Sequence, residues 1–101
     1  MSYELTIALN VTDDAVYQAY RRAIQTILDR CGGTFRYDFL VASTVTSEAE
    51  HPINRVFVLA FKDRAGKESF FADPEYKRIR AEHFPQSLDG FTIIAEYGRE
   101  R

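Results

Sequence analysis

Tryptophan is absent from this chain, and cysteine occurs once, at position 31. An intramolecular disulfide is therefore excluded, and a lone thiol fits a reducing compartment. Long hydrophobic runs are missing too. The longest wholly apolar stretch, Val56 to Phe61, falls far short of the roughly 20 residues that span a bilayer. Met1 to Asn10 has no basic start followed by an apolar block, so neither export nor membrane insertion is predicted, and the cytoplasm is the expected location. No sign of charge dominates: 13 basic and 15 acidic residues are scattered through the chain for a formal net charge of -2. Without a basic stripe for a phosphate backbone, a nucleic-acid partner is not expected. The sequence holds no glycine-rich phosphate loop after a strand, no cysteine cluster of metal-ligand spacing and no serine elbow. It predicts no cofactor and no metal. No repeat, low-complexity tract or linker divides it.

What is present is an ordinary globular composition, 46% hydrophobic over 101 residues, enough for a single domain spanning 1–101 around one core. A chain this short buries only somewhat more than about 60% of its unfolded surface, so pairing with another copy is a natural supplement.

The patterning alternates between two periods. Tyr3, Leu5, Ile7, Leu9 and Val11 recur every second residue, as in a strand with one buried face. Thr12, Asp13 and Asp14 then supply a helix cap and acidic groups for the positive end of the dipole. Val16, Ala19, Tyr20, Ala23, Ile24, Ile27 and Cys31 follow at three- and four-residue steps along one helix face, which Gly32 ends. Phe35, Tyr37, Phe39, Val41 and Val45 form a second alternating strand, opposite Arg36, Asp38, Ala42 and Thr44. Ser47 to Pro52 reads as a loop. Val56 to Phe61 is apolar at every position and needs cover on both faces, as a central strand does. A short helix is predicted around Glu68 to Ala72 and another from Glu75 to Phe84, with Asp73 as cap, Pro74 at the first helical position and Pro85 as terminator. A last strand opens at Gly90, with Phe91, Ile93, Ala95 and Tyr97 on one face and Thr92, Ile94 and Glu96 on the other.

The order βαββαβ is that of the ferredoxin-like, split βαβ arrangement: a four-stranded antiparallel sheet with both helices on one face. The other face is then bare and apolar. With Leu5, Ile7, Leu9, Phe91 and Ile93 toward the helices, it presents Ala8, Leu40, Ala42 and Ile94, plus either Val56 and Val58 or Phe57, Leu59 and Phe61. A patch of that kind predicts a homodimer in which two sheets pack face to face.

Val11, Asp13, Tyr17 and Tyr20, then Gly32-Gly33, then Pro52 with Arg55-Val56, then Asp73-Pro74-Glu75-Tyr76 after Phe70-Phe71 together resemble the domain of unknown function 1330 family. That resemblance covers nearly the whole chain and implies the dimeric α/β-barrel superfamily. The superfamily includes cofactor-free monooxygenases, small isomerases, haem-degrading enzymes and ligand-sensing domains, and fold analogy does not choose among them. The family pattern has an arginine and two glycines where this chain has Ala42-Ser43-Thr44. Lack of tryptophan and of a second helical histidine speaks against the haem-degrading type.

Two functional readings follow. In the first, the chain is a cofactor-independent enzyme or binder acting on a small molecule in a pocket between sheet and helices; in the second, it is a non-catalytic dimerisation or ligand-sensing module. Tyr76, Ile79, Arg80 and His83 share one helix face, so His83 and Tyr76 are candidate catalytic groups for proton transfer, with Arg80, Arg36 and Tyr20 as candidate ligand-binding groups. Equally, His83 near a helix C-terminus complements the dipole. Tyr17, Tyr20 and Tyr37 are pocket or packing residues. Arg36 and Asp38 are expected on one strand face with Glu4 and Glu96, as a polar cavity or a rim network. His51 with Glu48 and Glu50 reads as a solvated loop, and Cys31 as a core or cap residue.

Overall fold

The computed structural model describes residues 2–99. The chain runs β1 (Ser2–Val11), α1 (Asp14–Arg30), β2 (Thr34–Leu40), β3 (Arg55–Phe61), α2 (Arg64–Ala72), α3 (Pro74–Ser87) and β4 (Leu88–Arg99). The four strands make one antiparallel sheet in the order β2-β3-β1-β4, with the apolar run of β3 and the alternating β1 at its centre. The helices cover one face only. This is the ferredoxin-like fold expected from the element order, with the second crossover split into two helices.

Local chemistry places each helix. Asp13 caps α1 by accepting from the Val16 amide at 3.1 Å, Asp63 caps α2 through the Gly66 amide at 2.8 Å, and Asp73 caps α3 through the Glu75 and Tyr76 amides at 2.8 and 3.1 Å. Gly32, at φ +74°, ends α1 in the left-handed region, and the Gly33 amide returns to the Leu28 carbonyl at 2.8 Å. Tyr17, Tyr20, Ile24, Ile27 and Leu28 give α1 its buried stripe, which lies on Leu5, Ile7 and Leu9 of β1 and Phe57, Leu59 and Phe61 of β3. Phe70, Tyr76 and Ile79 complete the core from α2 and α3. Each large side chain removed from water here contributes about 1.5–3 kcal/mol.

Four expectations are corrected. First, β2 ends at Leu40, and residues 41–54 form a long connection, so Val41, Ala42, Thr44 and Val45 belong to no strand. Asn54 anchors the return: its side chain pairs with both the amide and the carbonyl of Val11 at 2.8 Å, as a neighbouring strand would. Second, β2 does not alternate through its length. Phe35 pairs with Leu59 but Tyr37 with Val58, leaving Arg36 as the extra residue of a bulge. Phe35 and Asp38 therefore face the helices, whereas Arg36, Tyr37 and Phe39 face the bare side. Leu40 is in register with Arg55 toward the helix side, not on the bare face. Third, β4 slips at Ile94: Ile93 pairs with Ile7 and Ala95 with Thr6. Phe91, Ile93 and Glu96 face the helices, and Thr92, Ala95 and Tyr97 the bare side, so Glu4, Arg36, Asp38 and Glu96 divide between the two faces. Fourth, α3 runs through Pro85 to Ser87. Proline removes one amide donor, but the Ser87 hydroxyl donates to the His83 carbonyl at 2.7 Å and the Gln86 side chain to the Glu82 carbonyl at 3.1 Å, so the last turn keeps partners.

Candidate functional site

The site is built where the helices meet the sheet. Ile7 and Leu9 of β1, Phe57 and Leu59 of β3, Phe35 of β2 and Phe91 of β4 form its floor; Tyr17, Tyr20, Ile24, Phe70, Phe71, Tyr76 and Phe84 form its roof. These side chains leave a hollow of about 20 Å³, room for roughly one water molecule. Aromatic residues predominate in its wall, and their rings pack edge-on or tilted: Phe70 and Tyr76 at 4.3 Å between centroids, Tyr20 and Phe84 at 4.8 Å, Phe35 and Phe57 at 5.2 Å.

Two phenols carry the polarity of this wall. The Tyr20 and Tyr76 hydroxyls lie 3.0 Å apart in a buried hydrogen bond, bringing α1 and α3 together. Burial pushes the Tyr20 phenol well above its ordinary value, with the neighbouring Tyr76 adding to the effect and Arg80 opposing it. Tyr76 is raised for the same first reason, offset by the bond with Tyr20 and by the Arg80 charge. Both are therefore neutral hydroxyls at physiological pH. They can donate or accept one hydrogen bond but cannot supply a phenolate.

Guanidinium groups stand at two ends of the wall. On one side Arg21 stacks 3.6 Å above the centroid of Phe35 and donates to the Tyr17 hydroxyl and to Asp38, both at 2.9 Å. Arg55 binds the same carboxylate bidentately, at 2.9 and 3.0 Å. Burial works against ionisation of Asp38, but the two guanidiniums outweigh it and hold this carboxyl below its ordinary range. On the opposite side Arg80 lies 4.8 Å from the centroid of Phe84 and 5.0 Å from that of Phe91.

Of the residues expected to serve function, Tyr20 and Tyr76 line the hollow, and Arg80 flanks it. His83 lies behind Tyr20, ring centroids 6.3 Å apart, with Nδ1 at 2.7 Å from the Ile79 carbonyl; it borders an outer groove between α1 and α3 with Ala15, Val16, Ala19, Glu82 and Gln86. Arg36 is elsewhere, on the bare sheet face, where its Nη1 meets Glu4 at 2.6 Å. His51 holds the long connection across that face through the Thr92 hydroxyl at 2.7 Å. Among the described residues no group of three or more His, Cys, Asp or Glu side chains is arranged to hold a metal ion. The Arg21–Asp38–Arg55 cluster was not anticipated. Its signals were the Tyr17–Arg21 spacing of four on α1 and the position of Arg55 in phase with Phe57, Leu59 and Phe61; the bulge at Arg36 concealed the third member.

Comparison with known proteins agrees with this architecture. The family model for the domain of unknown function DUF1330 matches residues 3–97. The chain belongs to the DUF1330 family. No curated protein matches it significantly in sequence. Among solved structures, a protein of unknown function from Rhodopseudomonas palustris superposes with a TM-score of 0.81 at 14% identity, over 99% of this DUF1330 chain and 83% of the other. A Dabb-family protein of ferredoxin-like fold from Mesorhizobium loti gives 0.65 at 13% identity, over 99% and 98%. A dimeric ferredoxin-like protein of unknown function from Jannaschia gives 0.56 at 14% identity, over 98% and 100%. These likenesses establish the fold that this family member shares with them. No helix among its described residues is long and apolar enough to cross a membrane.

Proposed function

We propose that this chain is a homodimeric binder of a small, largely apolar molecule bearing one hydrogen-bonding group, held between sheet and helices. The observation that carries this reading is the buried Tyr20–Tyr76 hydroxyl pair at 3.0 Å in the wall of an aromatic hollow. Sites for small organic molecules combine apolar and aromatic walls with a few convergent polar groups. A guest needs more than the present space. Phe35, Phe71, Phe84 and Phe91 are only partly buried, so the outer wall can yield while the core beneath stays packed.

The dimer is proposed from the part of the sheet face opposite the helices that the 41–54 connection leaves open. Tyr37 and Phe39 stack there at 6.0 Å with about half their area exposed, beside Val56 and Val58 of β3, and Tyr97 adds exposed surface on β4 at the other edge. A second copy covering this face satisfies the apolar surface with the commonest symmetry of soluble assemblies. The Jannaschia protein that shares this fold is dimeric, which supports the reading.

The binding test uses acetophenone, a neutral aromatic ketone, followed by thermal shift and by chemical-shift changes of the tyrosine rings. Wild type is expected to respond at millimolar probe, and Ile24→Phe, which fills the hollow, is expected to fold without responding. An equal response from the filled variant places the probe elsewhere and removes the reading.

A further inference from the structure

We propose that the natural guest of this pocket is a small aromatic or similarly planar monocarboxylate, and that Arg80 is the residue that takes its carboxylate. The inference rests on the pocket reading above and adds the charge of the ligand. It comes from a comparison of the arginines. Arg21, Arg30, Arg36, Arg55, Arg64, Arg78 and Arg99 each lie within 4.0 Å of a carboxylate oxygen. Arg22 is exposed on α1. Arg80 alone is partly buried and, among the described residues, has no carboxylate within that distance.

Its position is as informative as its lack of a counterion. The guanidinium carbon sits 4.8 and 5.0 Å from the ring centroids of Phe84 and Phe91, two wall residues of the hollow, and Phe84 in turn contacts Tyr20 at 4.8 Å. Stacking on aromatic faces holds the plane of an arginine while leaving its N–H edge available, and that edge matches a carboxylate in two parallel hydrogen bonds. The guanidinium also approaches the Tyr76 hydroxyl, so a carboxylate placed there would share Arg80 with that phenol. The ring of the acid would then enter the hollow, widened where the partly buried Phe71 yields, while Phe84 and Phe91 keep the guanidinium in place. The opposite end of the wall offers no comparable site, because Asp38 already occupies both Arg21 and Arg55.

The test compares benzoate with benzamide, its neutral counterpart of nearly the same shape, by titration calorimetry or chemical-shift mapping at pH 7 in wild type, Arg80→Gln and Arg80→Lys. Benzoate is expected to bind wild type about tenfold more tightly than benzamide, as a charge-assisted bidentate contact predicts. That preference should vanish in Arg80→Gln, return in part in Arg80→Lys, and fall with added salt, while benzamide binding stays constant throughout. Equal binding of the two probes to wild type, or a benzoate preference that survives Arg80→Gln, overturns the assignment of the acid and leaves the pocket reading intact. Failure of both probes to shift the Tyr20 and Tyr76 resonances overturns both. Circular dichroism of each variant confirms that loss of binding is not loss of fold.

Discussion

Glu4 offers the sharpest energetic test of the structure. Its side chain is only 3% exposed although it lies on the sheet face opposite the helices. It accepts from Ser2 Oγ at 2.9 Å, Arg36 Nη1 at 2.6 Å and Tyr97 Oη at 3.4 Å, with Arg99 Nη1 at 3.5 Å. Replacing Glu4 by Gln keeps the shape and removes the charge, leaving Arg36, 23% exposed, without its counterion. Breaking a buried pair on one side costs about 3–5 kcal/mol; access of water to Arg36 and Arg99 lowers the expectation to about 2–3 kcal/mol. Urea unfolding at fixed protein concentration measures it. The same variant tests the acid limb. Burial opposes ionisation of Glu4, but the Ser2 and Arg36 bonds and the Arg36 and Arg99 charges hold the folded-state pKa below the ordinary value. A lowered pKa means that the contribution is complete above the unfolded value of about 4 and disappears as pH falls through the folded value. Wild type should therefore lose stability more steeply below about pH 4 than Glu4→Gln. A loss under 0.5 kcal/mol at pH 7 together with parallel acid limbs would refute the reasoning, since typical surface ion pairs contribute no more than about that.

Asp38→Asn leaves Arg21 and Arg55 facing each other, and equilibrium unfolding should show a loss of about 2 kcal/mol, reduced from the fully buried case because Asp38 is 29% exposed. Phe39→Asp puts a charge into the proposed contact face; sedimentation equilibrium at micromolar concentration should report a folded monomer where wild type is a dimer, and a wild-type monomer would dismiss the interface. Tyr20→Phe strands the Tyr76 hydroxyl and should cost about 1–2 kcal/mol by thermal or urea unfolding, whereas Tyr17→Phe, whose hydroxyl meets the more accessible Arg21, should cost less. A Cβ at Gly90 would come within 2.2 Å of the His51 ring, so Gly90→Ala should displace the histidine and speed limited proteolysis within residues 41–54; an unchanged cleavage rate would show that His51 does not hold that connection.

Much of this architecture could be read from periodicity and caps. The alternation in β1, the part of the α1 stripe formed by Tyr20, Ile24 and Ile27 and the uniformly apolar β3 each follow from a face that must be buried, whereas Ala23 of that stripe is exposed and Tyr17 and Leu28 take its place; Asp13, Asp73 with Pro74, and Gly32 mark ends by local hydrogen bonding. What escaped were the places where tertiary contacts override a local rule. The bulges at Arg36 and Ile94 are decided by pairing with β3 and β1, and no property of Arg36 or Ile94 alone announces them. Pro85 signals a helix end, yet α3 continues to Ser87, its last turn tied by the Gln86 and Ser87 side chains to the Glu82 and His83 carbonyls. The helical periods of Tyr20, Tyr76 and Arg80 put them on inward faces, and the structure sets the two tyrosines in the wall of the hollow with Arg80 beside it. Asp38 was assigned to the wrong side of the sheet, and with it the whole arginine cluster was missed.

The bulges at Arg36 and Ile94 make each edge strand a hybrid. One half of β2 delivers Phe35 to the interior hollow and the other half delivers Tyr37 and Phe39 to the exterior; β4 changes allegiance in the same way between Ile93 and Ala95. Deleting residue 36 or 94 would therefore leave a regular ladder with the same residues inside and outside, whereas straightening either bulge with its residue kept would exchange inner for outer along the rest of the strand. Substitutions at 37, 39 and 97, by contrast, can alter assembly while leaving the lining of the hollow untouched, so the two properties are free to diverge independently among relatives that keep both irregularities.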